Sequence, residues 1–270
     1  MIFSNTSNYM LKYQKAKAKL VEYDISKKDY PKFPLNSNEL SYPIIYILSR
    51  YAESVIENNI ADREEFSPYL VAASQYFDAA VGAKDRTIYD IDFLLSGAAA
   101  YFLSNDFGSA KVLCSEFFER KKPKINEPQK IIGNLLGYLL LNRELHISNN
   151  TFTGQKVCYS LLAYYTTGKE LERIQSLLSE YRKELYRSND PMEIYYIDIL
   201  YAVVIVALSK SSWRLLPEYS KLNQNLWSDY LKSQTSPKML WPAQQLIGEK
   251  GILSGQSAIV QLPTGVGKTK

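Results

Sequence analysis

The residues best equipped for chemistry in this sequence are Pro263-Thr264-Gly265-Val266-Gly267-Lys268-Thr269, just ahead of Lys270. A Gly-Lys-Thr triplet behind a second glycine is a residue set that grips a polyphosphate. Gly265 and Gly267 let the backbone turn tightly and aim successive N–H groups at phosphate oxygens, and a helix starting near Lys268 would add its positive dipole end. Lys268 would then reach the β- and γ-phosphates, and the Thr269 hydroxyl would sit on Mg²⁺. The context supports this reading. Ser257-Ala258-Ile259-Val260-Gln261-Leu262, directly upstream and following Gly255, is a short, β-branched, mostly apolar run with the composition of a buried parallel strand.

The general phosphate-loop pattern asks for Gly or Ala where this sequence has Leu262. With Pro263-Thr264 ahead of Gly265-Val266-Gly267-Lys268-Thr269, the loop instead resembles motif I of the superfamily-two helicases of the DEAD-box and DExH group, many of which vary at that place. The resemblance extends upstream. Pro242-Ala243-Gln244, a helix-like run from Gln245 to Leu253 and then Ser254-Gly255 resemble the Q-motif segment that precedes motif I. In those families a glutamine hydrogen-bonds the adenine edge. Gln244 fits the Pro-x-Gln pattern and Gln245 fits the spacing to Lys268, so the resemblance implies that role for the pair. It implies ATP with Mg²⁺ as cofactors, held by Gln244, Gln245, Pro263, Thr264, Gly265, Val266, Gly267, Lys268 and Thr269. Lys268 and Thr269 are the catalytic members, and Thr269 meets the metal through ATP.

A helical amino-terminal part, a Trp-Pro-x-Gln segment and this loop together are similar to bacterial DExH helicases of the Ski-like branch, among them the helicase subunit of the Hachiman antiphage system. That resemblance implies DNA or RNA as substrate, a small nuclease-type partner protein and a role in antiphage defence. A complete motor of this kind also needs two RecA-like lobes, an Asp-Glu pair for Mg²⁺ and arginines from the second lobe. The chain is therefore expected to be the amino-terminal portion of a larger helicase, catalytically incomplete as given. Two other readings stay open: a helical protein-interaction scaffold joined to a signalling-type phosphate-loop NTPase, and a free regulator without catalysis. The glutamine pair favours the helicase over the signalling switch.

The elements that must position this segment are helical. The fold expected is mainly α, an irregular helical-repeat-like domain with tetratricopeptide-like hairpins, followed by the first helix, strand and phosphate loop of a RecA-like α/β domain. The boundaries expected are residues 1–233 for the helical domain, 234–240 for a linker (Gln234-Thr235-Ser236-Pro237-Lys238 is polar and ends near proline) and 241–270 for the RecA-like start. Helices are expected over residues 9–25, 44–60, 69–83, 88–103, 107–120, 128–145, 154–166, 169–187, 191–209 and 213–232. The stripe Ile45, Leu48, Ala52, Val55 and Ile56 reads as the inner face of the second, and Ser67-Pro68 reads as the opening of the third. Ala98, Tyr101, Phe107 and Ala110 fall on the tetratricopeptide spacing with Cys114 where an aromatic is usual, and a weaker copy lies around Tyr165 to Leu177.

Composition bounds the rest. The 270 residues carry 32 Lys plus Arg against 28 Asp plus Glu, a net charge of +4, which permits nucleic-acid binding without arguing for it. Lys12, Lys15 and Lys19 on one helix face and the loop Arg120-Lys121-Lys122-Pro123-Lys124 are the basic clusters that could touch phosphates, and solvated surface is the commoner role for both. The 22 tyrosines are expected to fill interhelical contacts rather than stack on bases. Cys114 and Cys158 make no metal or disulfide pattern and read as small buried hydrophobes in a reducing cytoplasm. His146 has no ligand-spaced neighbour and reads as a turn residue. The most apolar run, Ile197 to Leu208, is interrupted by Asp198 and reads as a core helix, so no membrane association is expected.

Overall fold

Turn-forming side chains decide where the helices of this protein stop. The structure is a computed structural model that describes residues 37–82, 90–120, 125–146, 152–188, 190–233 and 236–261. Among these residues there are eleven α-helices and one short 3₁₀ turn, and the only pairing of extended backbone is a single antiparallel bridge between Ser211 and Met239. The expected helix over residues 9–25, with Lys12, Lys15 and Lys19, lies outside the described residues, as do residues 121–124 of the basic loop. The chain divides into two units, residues 1–136 and 137–270.

The first unit contains α1 (Ser37–Ile56), α2 (Ile60–Gly82), α3 (Asp90–Leu103), α4 (Phe107–Glu119) and the first part of α5 (Glu127–Leu141). α1 begins ahead of the expected Ile44, and its buried stripe is Ile44, Ile47, Leu48, Tyr51, Ala52 and Val55. That stripe keeps Leu48, Ala52 and Val55 of the sequence reading, but rotates Ile45 and Ile56 towards the edge in favour of Ile44, Ile47 and Tyr51. α2 also departs from expectation: Pro68 sits inside it rather than at its start. A proline costs an interior helix the hydrogen bond to the carbonyl four residues back. Here that carbonyl belongs to Glu64, which is exposed like Pro68 itself, so water can satisfy it. The fully buried Phe66 and Leu70 hold the helix through the defect from its other side.

The α3–α4 hairpin follows the sequence reading. Asn105 turns the chain in the left-handed region at φ 68°, and Asp106 caps α4 by accepting from the Ser109 backbone N–H at 3.1 Å and from its hydroxyl at 2.8 Å. Ala98, Tyr101, Phe107, Ala110 and Cys114 are all buried, and the Phe102 and Phe107 rings lie 5.0 Å apart across the turn. Close approach explains Gly97. A Cβ there would come within 2.8 Å of Leu113 on α4 and 2.9 Å of Phe77 on α2, so the three helices meet at a point only glycine fits. α5 opens with a reciprocal cap: the Asn126 N–H donates to Gln129 Oε1 at 2.8 Å and the Gln129 N–H donates to Asn126 Oδ1 at 2.9 Å.

The second unit contains the end of α5, then α6 (Thr153–Thr167), α7 (Leu171–Ser188), α8 (Pro191–Ser209), α9 (Ser212–Ser220), α10 (Gln224–Lys232) and α11 (Pro242–Glu249). α6 and α7 form a second helical hairpin. Gly168 closes α6 at φ +74°, donating its N–H to the Tyr164 carbonyl, and a Cβ on it would strike the Trp213 ring and the Gln224 amide, both at 2.6 Å. α7 is amphipathic and buries Ile174, Leu177, Leu178 and Tyr181, whereas α8 is apolar nearly all round. By length and composition alone α8 could cross a membrane, the one such helix among the described residues. Asp198 breaks that run, and in the fold it is paired with Arg182 of α7.

The helix expected over residues 213–232 is two helices. Lys221 adopts φ 58°, and Asn223 caps α10 by accepting the Asn225 N–H. Ser220 organises the break: its hydroxyl donates to the Leu216 carbonyl at 2.6 Å and accepts from Trp227 Nε1 at 2.9 Å. Periodicity could not reveal the split, because the apolar spacing carries across it while the side-chain bonds that stop the helix are local.

Several described tyrosines, among them Tyr51, Tyr76, Tyr138, Tyr164, Tyr165 and Tyr196, are buried between helices, and such phenols make the fold sensitive to alkali. Burial raises the Tyr138 phenol to about 12, and burial, with Tyr164 and Tyr138 close by, raises Tyr165 well above its usual value. Below pH ~10 these phenols are protonated in both folded and unfolded chains. Above it the unfolded chain loses protons that the native chain keeps, so stability falls as pH rises, by about 1.4 kcal/mol per pH unit for each such tyrosine. Denaturant titrations across pH 10 to 12 are expected to show the unfolding midpoint falling together with the appearance of phenolate absorbance.

Candidate nucleotide-binding segment

The candidate site begins where residues 236–241 lie across the corner between α8 and α9. The Leu240 N–H donates to the Lys210 carbonyl at 2.9 Å, the Ser212 N–H donates to the Lys238 carbonyl at 3.1 Å, and the Ser212 hydroxyl donates to the Pro237 carbonyl at 2.6 Å. Met239 and Leu240 are buried at 1% and 4% exposure. From Pro237 to Leu240 the segment read from sequence as a connection is therefore fastened to that corner. Lys238 extends over the Tyr138 ring, its ammonium 5.7 Å from the centroid, and partial burial lowers its pKa. Burial lowers Lys210 as well, an effect that nearby Glu249 of α11 opposes.

α11 follows with Pro242 in its first turn. Gln244 and Gln245 are both engaged at this helix start. The Trp241 N–H donates to Gln244 Oε1 at 2.9 Å, and Gln245 Nε2 donates to the Leu240 carbonyl at 2.6 Å. Gly248, near the other end of α11, faces Tyr219 of α9. A Cβ on it would lie 2.0 Å from Tyr219 Cδ2 and 2.5 Å from Cγ, so a side chain there would drive the two helices apart. Two left-handed glycines, Gly251 at φ 73° and Gly255 at φ 95°, bracket the 3₁₀ turn Ile252–Ser254. Glycine adopts such φ without the strain a Cβ brings, and at Gly251 a Cβ would also come within 2.7 Å of the Gln256 side chain.

After that turn the chain differs from the sequence reading. Residues 256–261, where the strand was expected to begin, are exposed and have no pairing partner among the described residues. Ile259 is wholly exposed at 101% and Val260 is exposed at 48%. A strand exists only as part of a ladder, and nothing described here offers this segment one. Leu262, Pro263, Thr264, Gly265, Val266, Gly267, Lys268 and Thr269 lie outside the described residues. Of the expected site, Gln244 and Gln245 are the members among the described residues, and the structure brings them together at the start of α11.

Compared with the families of known proteins, with curated proteins and with solved structures, this chain matches none.

Chemistry elsewhere is sparse. No group of three or more metal-ligating side chains occurs among the described residues. His146 is exposed, in an irregular stretch after α5 and beside the buried Leu145. Cys114 and Cys158 are buried thiols. Arg120, the one described residue of the basic loop, is paired with Glu116. Sequence reasoning missed Tyr219 and the Leu240–Trp241 peptide. A glycine inside the short α11 signals a close neighbour without naming it, and a backbone group leaves no residue signature at all.

Proposed function

We propose that this protein is the amino-terminal part of an ATP-dependent nucleic-acid helicase of the superfamily-two group, with the helical units as an accessory region and residues 241–270 opening the first RecA-like lobe. The observation that carries the proposal is the order along the chain: a Pro-x-Gln helix start with both glutamines turned onto the backbone beside it, two glycine turns, an apolar segment with no strand partner among the described residues, then Pro263-Thr264-Gly265-Val266-Gly267-Lys268-Thr269. In that reading Ile259 and Val260 await neighbouring strands of a parallel sheet, which would bury them on both faces. ATP would be held by Lys268 at the phosphates, by Thr269 through Mg²⁺ and by Gln244 and Gln245 at the adenine. DNA or RNA is the substrate, a small nuclease-type protein the partner, and antiphage defence in the cytoplasm the setting.

The test is a nucleic-acid-stimulated ATPase assay on the full product of the gene, with Lys268→Ala beside it. Loss of the lysine that neutralises the β- and γ-phosphates should reduce turnover at least ~100-fold, the scale seen when one electrostatic contact to the developing charge is removed. Turnover that is insensitive to Lys268→Ala, or absent from the parent protein, would sink the proposal.

A further inference from the structure

The two glutamines grip opposite ends of one peptide group. The carbonyl of Leu240 accepts from Gln245 Nε2, and the N–H of the same peptide, contributed by Trp241, donates to Gln244 Oε1. The preceding N–H, that of Leu240, donates to the Lys210 carbonyl at the end of α8. Three hydrogen bonds thus run in series from the corner of the helical unit, through the Leu240 backbone, to the amides that the proposed function assigns to adenine.

An adenine edge offers one donor and one acceptor side by side, and a glutamine amide offers the complementary pair. A Gln245 amide turned to meet that edge squarely gives up its bond to the Leu240 carbonyl. That carbonyl belongs to a residue only 4% exposed, so leaving it unbonded in place is unfavourable. The unfavourable term is relieved if residues 236–241 shift and bring the carbonyl to water.

We propose, resting on the nucleotide reading above, that the Leu240–Trp241 peptide is an intramolecular competitor for the adenine edge at Gln244 and Gln245, so that base binding loosens residues 236–241 from the α8–α9 corner. The coupling is reciprocal: whatever fastens the segment to Lys210 and Ser212 weakens base binding by the same factor. The helical unit and the motor would in this way sense each other through a backbone group rather than through a dedicated side chain. The competition is for the glutamine amides, so the effect belongs to the base and not to the triphosphate.

Amide exchange resolved at Leu240, Trp241 and Ser212 tests this in the full gene product. Gln245→Glu cannot donate to the Leu240 carbonyl, while its charge suits a helix N-terminus and leaves α11 intact. It is expected to speed exchange at Leu240 and Ser212 without nucleotide by about 2- to 10-fold, the factor one hydrogen bond of ordinary net strength commands. Gln244→Glu still accepts the Trp241 N–H and should leave exchange at all three positions unchanged. Mg-ATP should speed exchange at Leu240 and Trp241 in the parent protein, whereas Mg-tripolyphosphate should not. If ATP binds in a Lys268-dependent manner and those amides do not respond, or respond equally to tripolyphosphate, the competition is disproved and the nucleotide reading survives. If no ATP binds, both fall.

Discussion

Replacing Trp213 by alanine should cost the second unit about 3–5 kcal/mol of unfolding free energy, the range for deleting a buried large aromatic. Trp213 opens α9 at 5% exposure, and its ring fills the space that Gly168 leaves open at the end of α6. Its Nε1 donates to the Tyr165 carbonyl at 3.0 Å, a bond between residues far apart in sequence. Area and hydrogen bond separate by substitution. Trp213→Phe keeps much of the apolar contact but strands the Tyr165 carbonyl, which should cost about 1–3 kcal/mol. Urea unfolding of both variants, with the slope unchanged and the midpoint shifted, checks the pair. Equal stability of parent and alanine variant would mean that α9 does not seat on the α6 terminus.

The same residue shows what a sequence can and cannot disclose. A tryptophan ahead of Arg214, Leu215 and Leu216 marks a helix, and the helix is there. Its partner is a carbonyl and a glycine on another helix, which no local spacing encodes. The α3–α4 hairpin was legible because its signals are local: the Ser-Asn-Asp turn, the small residues Gly97 to Ala100, and the aromatics at fixed offsets. Helix ends failed where a local rule was overruled. Pro68 would start a helix on propensity alone, yet the carbonyl it leaves unbonded belongs to the exposed Glu64, and the buried Phe66 and Leu70 carry the helix past it.

At the candidate site the split is sharper. Pro242 and the glutamines announced a helix start, and α11 begins there. Both glutamines bond backbone in this structure, a consequence of residues 236–241 lying on the α8–α9 corner rather than of any motif. The composition of residues 257–262 reads as a strand because it suits burial between two layers, but composition does not supply the neighbours. The exposure of Ile259 and Val260 is the physical form of that gap.

Asp198→Ala should be the other substitution of large effect, costing about 1–3 kcal/mol, because it takes the carboxylate from Arg182, whose side chain is 27% exposed, and from Tyr186. Asp198 lies at 9% exposure within the apolar α8 and receives three groups: Arg182 Nε at 2.7 Å, a guanidinium nitrogen at 3.4 Å and the Tyr186 hydroxyl at 2.6 Å. The guanidinium also lies over the Tyr186 ring, 4.9 Å from its centroid. Burial works to lower the Arg182 pKa, but the hydrogen bond and charge of Asp198 prevail and raise it, so the guanidinium keeps its charge. The cost of the substitution comes mostly from the orphaned cation, and this can be separated from the strength of the pair. Arg182→Leu together with Asp198→Leu removes both charges and should recover most of the loss, since a well-packed apolar pair commonly equals a buried ion pair. A double-mutant cycle read by urea unfolding then gives the coupling. Recovery in the double variant would show that Asp198 interrupts the longest apolar helix at little net gain in stability, and that its role is to fix how α8 registers on α7. A double variant as unstable as the single would instead mean that the carboxylate is needed for more than neutralising Arg182, its bond from the Tyr186 hydroxyl included.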